Sequence, residues 1–305
     1  MFWTSFILWA TCCQSLASAH AKILPPANGE EIFINNNGVT LHYRKYGCGP
    51  YLVLQHGFPD RETTFADFQV PAFAQSYTVL TPTLRGYPPS SVPPEAADYG
   101  PDYLVSDLAA ILDHENTTTA TVIGHDFGGA VVQYFSLYHP ERVEAMVMMN
   151  TPPFATFVPL INFDKEAQEY ARYTIPYYTY KPGQPKNIST LVENIRNTTY
   201  RAEIAAYLEA SPIDGMLHYY SANYPGPPYE QNTSVSGYVQ KVPSMLLWGV
   251  EDVYFSPKML DGLEGFYNKG IRLVTVPGAG HWVFRDDWQR SNEEIWSFLK
   301  TVLRL

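Results

Sequence analysis

The chain has 305 residues, 46% of them hydrophobic, and a formal net charge of -10. That length accommodates either one core carrying a large insertion or two domains. An acidic surface with no offsetting Lys/Arg cluster repels nucleic acid and anionic membranes, which excludes both as partners.

An apolar run from Phe2 through Cys13, followed by Ala17-Ser18-Ala19, reads as a signal peptide over residues 1–19, cleaved after Ala19. The run is too short for a spanning helix, so no stable membrane anchor is expected. Cleavage removes Cys12 and Cys13 and leaves Cys48 alone, without an internal disulfide. Sequons at Asn116, Asn187, Asn197 and Asn232 are N-glycosylation candidates that fit a secreted or ER-routed protein.

Glu31 to Tyr46 alternates around Asn36-Asn37-Gly38 and predicts a hairpin, and Tyr51 to Leu54 predicts the next strand. Short apolar runs at Tyr77–Leu80, Ala120–Ile123, Ala145–Met149, Ser244–Leu247 and Ile271–Val276 predict parallel strands covered on both faces. Helical spacing over Asp102–Leu112 and Gly129–His139 separates them. This order predicts a doubly wound, mostly parallel α/β sheet. From Pro152 the alternation gives way to prolines, tyrosines and short helical pieces such as Thr190–Arg196 and Tyr200–Leu208. Residues 152–236 are therefore expected to form an inserted helical cap, with 20–151 and 237–305 forming the core.

Gly124-His125-Asp126-Phe127-Gly128-Gly129 lies between a predicted strand and a predicted helix, where a G-x-nucleophile-x-G elbow exposes its central side chain. The bland alternative is a glycine-rich turn with Asp126 as a helix cap. Two further positions argue against it. Trp248-Gly249-Val250-Glu251-Asp252 ends a late strand, and His281 follows the last one, giving the chain order nucleophile, acid, base. Asn150, at the rival acid position, cannot ionise, while Glu251 remains an adjacent alternative to Asp252. His42, His139 and His218 read as surface or packing residues, and the His125 side chain is expected to turn away from the pocket. His56-Gly57-Phe58-Pro59 can supply the Phe58 backbone N-H to an oxyanion hole shared with that of Phe127.

The order H-G-F-P-D, R-G-Y, G-H-D-F-G-G, W-G-x-x-D, G-H-W resembles the epoxide hydrolases of the α/β-hydrolase superfamily over nearly the whole mature chain. The sequence departs from that pattern at Phe65 and Phe68, where tryptophans are usual, and at Thr83, where an aspartate is usual. The resemblance implies two cap tyrosines that protonate the opened ring. Met216–Tyr224 maps the second to Tyr220. Tyr177 is taken as the first by its Tyr-x-x-Tyr spacing, with Tyr178 next.

An aspartate is ionised at neutral pH and attacks saturated carbon directly, which favours strained rings or carbon-halogen bonds over carbonyl esters. The resulting ester on Asp126 would be cleaved by water activated by His281, itself oriented by Asp252. The expected reaction is hydrolysis of a small apolar epoxide to a vicinal diol, with no cofactor and no metal, since no H-E-x-x-H-like ligand spacing occurs. The alternatives are a haloalkane or haloacid dehalogenase and a non-catalytic secreted binding protein on the same scaffold. Dehalogenases of this superfamily usually place Asn or Gln, and Trp or Arg, where this chain has Phe58 and Phe127.

Overall fold

A computed structural model describes residues 29–231 and 234–304. The leader expected over residues 1–19 and the Asn232 sequon lie outside them. Eight strands form one sheet in the order β1-β2-β4-β3-β5-β6-β7-β8. Their ranges are β1 (Glu30–Asn36), β2 (Val39–Tyr46), β3 (Tyr51–Gln55), β4 (Thr78–Thr83), β5 (Ala120–His125), β6 (Val143–Met149), β7 (Ser244–Gly249) and β8 (Ile271–Val276). Only the pairs β1·β2 and β2·β4 are antiparallel. Asn37 and Gly38 link β1 to β2 with φ of 51° and 89°, the left-handed pair that a tight hairpin matching strand twist requires.

β5 and β7 are buried along their whole length, which is why both read as unbroken apolar runs. Three expectations are corrected. β8 is an edge strand with Leu273 41% exposed, so it is not covered on both faces. β4 starts at Thr78 and continues through Pro82 to Thr83, beyond the apolar run. There the Gln55 amide donates to the Pro82 carbonyl (3.2 Å), and Thr83 Oγ1 lies 2.7 Å from His42 Nδ1. The helix expected over Thr190–Arg196 is Ile188–Val192, because Asn197 caps the following helix (Thr198–Ala210) by accepting from the Tyr200 amide at 2.9 Å.

Between β6 and β7 the chain leaves the sheet and forms helices over Phe154–Phe163, Lys165–Tyr170, Thr198–Ala210 and Asp214–Asn223. Apolar surface alone does not fix their placement. Hydroxyls and amides carried by these helices end on core backbone, with Tyr219 donating to the Arg85 carbonyl (2.9 Å), Asn223 to that of Tyr99 (2.9 Å) and Tyr207 to that of Pro88 (2.9 Å). Arg85 is itself gripped by both oxygens of Asp107 at 2.6 and 2.7 Å, a bidentate pair that fixes the Arg85-Gly86-Tyr87 turn. The Asp214–Asn223 helix, which carries Tyr220, therefore rests on that turn.

The strand-to-helix turn after β5 is close-packed. A Cβ added at Gly128 would overlap the Gln55 carbonyl oxygen of β3, so the helix Phe127–Tyr138 approaches the sheet only with glycine there. Gly128→Ala should destabilise the protein by about 3 kcal/mol, as overpacking of a rigid core does. The expected reading is a lower urea midpoint at unchanged m-value.

Candidate active site

Asp126 sits between β5 and the helix Phe127–Tyr138 with φ 53° and ψ −125°, a strained conformation for a residue with a side chain. The turn is held from outside, since Thr151 Oγ1 donates to the Asp126 carbonyl at 3.0 Å. It carries the carboxylate into a cavity while leaving the residue 8% exposed. The Phe58 amide donates to Asp126 Oδ1 at 2.8 Å, and the Phe127 amide also hydrogen-bonds the carboxylate. Both predicted backbone donors thus meet on one carboxylate.

His281 Nε2 lies 3.6 Å from Asp126 Oδ2, and its Nδ1 lies 2.8 Å from Asp252 Oδ2. Asp252 Oδ1 accepts from the amides of Tyr254 (2.7 Å) and Phe255 (3.3 Å). Glu251 turns outward to Arg196 at 2.7 Å, so the pair at the imidazole is Asp252 and His281. Asn150 holds the Asp252 oxygen that faces the imidazole. It stands at φ 42°, donates Nδ2 to Asp252 Oδ2 at 2.6 Å and accepts the Gly249 amide at 2.9 Å. Sequence reasoning set Asn150 aside as an acid and had no signal for this contact across 102 positions.

His125 does turn away from the cavity. Its Nε2 lies 3.0 Å from the His281 carbonyl oxygen, and its ring packs on His281 with centroids 4.6 Å apart. Burial, with the nearby imidazole, lowers it to about 3, so it supports the base loop as a neutral ring. His56 is likewise neutral, lowered to about 4 by burial, and accepts the Leu84 amide at 3.1 Å. Asp60, the last residue of the H-G-F-P-D run, is buried and accepts from Tyr200 (2.8 Å) and Trp282 (3.0 Å). It thereby ties the Phe58 loop to the cap and to the base loop at once. Burial raises its carboxyl to about 6 despite those bonds.

Two cavities share Asp126, Tyr173 and Tyr220. One is walled by apolar groups including Phe127, Phe154, Phe157 and Phe255. The other contains His281, Phe58, Tyr177, Glu193, Tyr254 and Trp282. Tyr220 is wedged against the rings of the two amide donors, with centroids 5.6 Å from Phe58 and 4.7 Å from Phe127. Tyr177 packs on Tyr220 at 4.8 Å but reaches only the second cavity. Tyr178 is committed elsewhere, its hydroxyl bonded to the carbonyls of Tyr224 (3.3 Å) and Pro225 (3.2 Å). Tyr173, which the sequence did not single out, borders both cavities beside Asp126. With eleven tyrosines between Tyr170 and Tyr229, only cap packing distinguishes it.

Burial alone would depress His281, yet the carboxylates of Asp252 and Asp126 outweigh it and raise the imidazole to about 10. Burial likewise pushes Asp126 upward, but His281 outweighs it and holds the carboxyl below its ordinary range. The resting site is therefore carboxylate, imidazolium, carboxylate.

A model of the α/β-hydrolase fold matches residues 50–287. The chain belongs to that family. Within the superfamily, relatives named epoxide hydrolase agree with the motif order. It is 25% identical to epoxide hydrolase 3 of Mus musculus over 96% of this chain and 85% of the relative. It is 29% identical to the AB hydrolase superfamily protein YfhM of Bacillus subtilis, over 88% of this chain and 97% of that protein. The crystal structure of an epoxide hydrolase from Bacillus megaterium bound to an inhibitor superposes with a TM-score of 0.78 at 25% identity, covering 88% of this chain and all (100%) of that one.

The raised imidazole makes a prediction about stability. The folded His281 keeps a proton that the unfolded chain releases near 6.5, so its contribution is complete below that pH and is lost as pH rises through about 10. The Tm advantage of the wild type over His281→Gln should therefore shrink between those limits. A constant difference across the window would contradict a shared proton at the site.

Proposed function

We propose that this protein hydrolyses epoxides to vicinal diols through an alkyl ester on Asp126. The observation that carries the reading is that Asp126, an ionised carboxylate at an elbow, faces His281 with one oxygen while the Phe58 amide donates to the other and the Phe127 amide stabilises the ionised carboxylate. Oδ2 attacks a ring carbon, the carbon-oxygen bond breaks, and a phenol proton passes to the departing alkoxide. Esterification removes one of the two carboxylate charges that hold His281 protonated. The imidazole then gives up its proton, which restores the phenol that protonated the alkoxide, and becomes a base. It takes a proton from water, whose oxygen attacks the Asp126 carboxyl carbon. The charge that develops on Oδ1 is met by the Phe58 and Phe127 amides. Collapse breaks the bond from the carboxyl carbon to Oδ2, which leaves with the diol and takes the proton from the imidazolium, and the new Asp126 acid returns its proton to His281. No step draws on a cofactor, and no cluster of metal-ligating side chains occurs among the described residues.

Tyr220 is the phenol best placed as donor, since it borders both cavities and its hydroxyl makes no protein hydrogen bond among the described residues. Tyr173 is the better placed second donor, because it shares both cavities with Asp126 where Tyr177 shares one. Burial raises the phenols of Tyr220 and Tyr173 well above 10, so both keep the proton they would donate. A halide displacement would call for N-H donors facing Asp126, whereas the side chains beside the two amides are phenyl rings.

His281→Gln should accumulate the ester, seen as a substrate-sized mass increase on the peptide containing Asp126, with diol formation reduced at least about a thousandfold. An unmodified Asp126 with a substrate that the wild type turns over would sink the two-step route. Tyr220→Phe and Tyr173→Phe should each slow epoxide opening more than Tyr177→Phe does, read from single-turnover ester formation. Equal rates across the three variants would remove the phenols from the chemistry.

The cap and core assignment proposed from the sequence follows the helical excursion between β6 and β7. A secretory route is likewise proposed. It is supported by the exposed positions of Asn116, Asn187 and Asn197, where the Asn197 cap uses only Oδ1 and leaves the amide nitrogen to carry a glycan. Among the described residues no helix is long and apolar enough to cross a membrane. Protein made in a secreting eukaryotic host should lose mass on treatment with an N-glycosidase, and an unchanged mass would refute occupancy.

A further inference from the structure

The two cavities beside Asp126 differ in charge as well as lining. The first presents phenyl rings and phenols and, apart from Asp126, no ionisable carboxylate or cation. The second carries Glu193 in addition to Asp126 and His281, among the rings of Phe58, Tyr173, Tyr177, Tyr220, Tyr254 and Trp282. Glu193 follows the helix Ile188–Val192, and this segment is pinned to the cavity wall where Asn194 donates to the Tyr254 hydroxyl at 3.0 Å. Its charge reaches inward. Burial raises the phenols of Tyr177 and Tyr254, and the Glu193 carboxylate adds to the rise in both.

Among the described residues Glu193 has no salt-bridge partner. The cation closest along the chain, Arg196, is already occupied by Glu251 at 2.7 Å and Asp286 at 3.4 Å. The imidazolium of His281 is offset by Asp126 in front and Asp252 behind. Asp126, His281 and Glu193 together leave the cavity with an excess negative charge, inside a chain whose net charge is -10. A box of aromatic rings with a carboxylate on its wall is the arrangement that holds an amine or quaternary ammonium, since ring faces attract cations and an anion fixes the sign.

We propose that the second cavity recognises a cationic substituent, so that the preferred epoxide carries an ammonium group on one side of the ring and an apolar group on the other. This rests on the reading of Asp126 as the epoxide-opening nucleophile. In that arrangement the apolar substituent lies among Phe154, Phe157 and Phe255, and the ammonium lies near Glu193 and Tyr254. The ring between them meets Asp126, Tyr173 and Tyr220. Glu193 is thus a specificity-determining residue and takes no part in bond making.

Two measurements separate this proposal from the reading beneath it. Choline and its neutral tert-butyl isostere, neither of them an epoxide, are titrated by ligand-observed NMR into the full chain. The wild type should bind choline about tenfold more tightly than the isostere. Glu193→Gln should lower that ratio at least about threefold, and Glu193→Lys should abolish it. Raising the salt concentration should lower it too, since Glu193 is exposed. Equal binding of the two probes by the wild type, or a ratio unchanged by Glu193→Lys, overturns the proposal. Glycidyltrimethylammonium and its tert-butyl carbon isostere are then compared by kcat/KM, where the wild type should prefer the cation and Glu193→Lys should reverse the preference. A choline preference that depends on Glu193, with no diol from either epoxide, upholds the cation site and refutes epoxide hydrolysis instead.

Discussion

The site depends on a carboxylate carried at positive φ. At φ 53° and ψ −125° Asp126 points off the end of β5 instead of along the helix that follows. A side chain tolerates that geometry only where its surroundings over-determine it. They do so here through Gly128 against β3, through Thr151 on the Asp126 carbonyl, and through the Phe58 amide on Oδ1. Asn150, at φ 42° after the adjacent strand, is a second residue with a side chain at positive φ. The two lie at the ends of neighbouring parallel strands, β5 and β6, where side chains can project beyond the sheet and ligands enter open α/β folds.

From that turn the electrostatics follow. Two buried carboxylates would repel one another and be pushed toward protonation, and the imidazolium of His281 between them removes the conflict. The same proton that stabilises the resting site must leave before His281 can act as a base. Alkylation of Asp126 provides the trigger, since it deletes one of the charges that hold the proton. Asp252 remains, anchored by Asn150 and by the amides of Tyr254 and Phe255, so it orients the imidazole throughout. Asp60 links the loops that carry the amide donor and the base to the cap, through Tyr200 and Trp282. The position of the cap is thereby coupled to the position of the chemistry.

Much of this was legible in the sequence, for a physical reason. The elbow, the acid and the base each sit at a strand end, and strand ends are marked by apolar runs that stop at Gly, Asp or His. Chain order pointed to His281 and the two amide donors and narrowed the acid to Asp252 with Glu251 beside it, which the Arg196 contact of Glu251 then separates. What was not legible depends on contacts between distant segments. Asn150 differs from an ordinary loop asparagine only in facing Asp252, and Asp60 looks like the tail of a motif until Tyr200 and Trp282 close on it. Tyr173 is hidden among many tyrosines, because spacing along a short, irregular helical stretch does not say which ring faces inward. The helix boundary at Val192 was missed because capping by Asn197 competed with propensity.

The central claim is that Asp126 itself supplies the oxygen that opens the ring. A single turnover with enzyme in excess over epoxide, run in water labelled with heavy oxygen, tests it directly. The account predicts an unlabelled diol from that first turnover, with the label in the carboxyl group of Asp126. Label in the first-turnover diol and none in Asp126 would mean that water attacks the ring directly, and would contradict the covalent route.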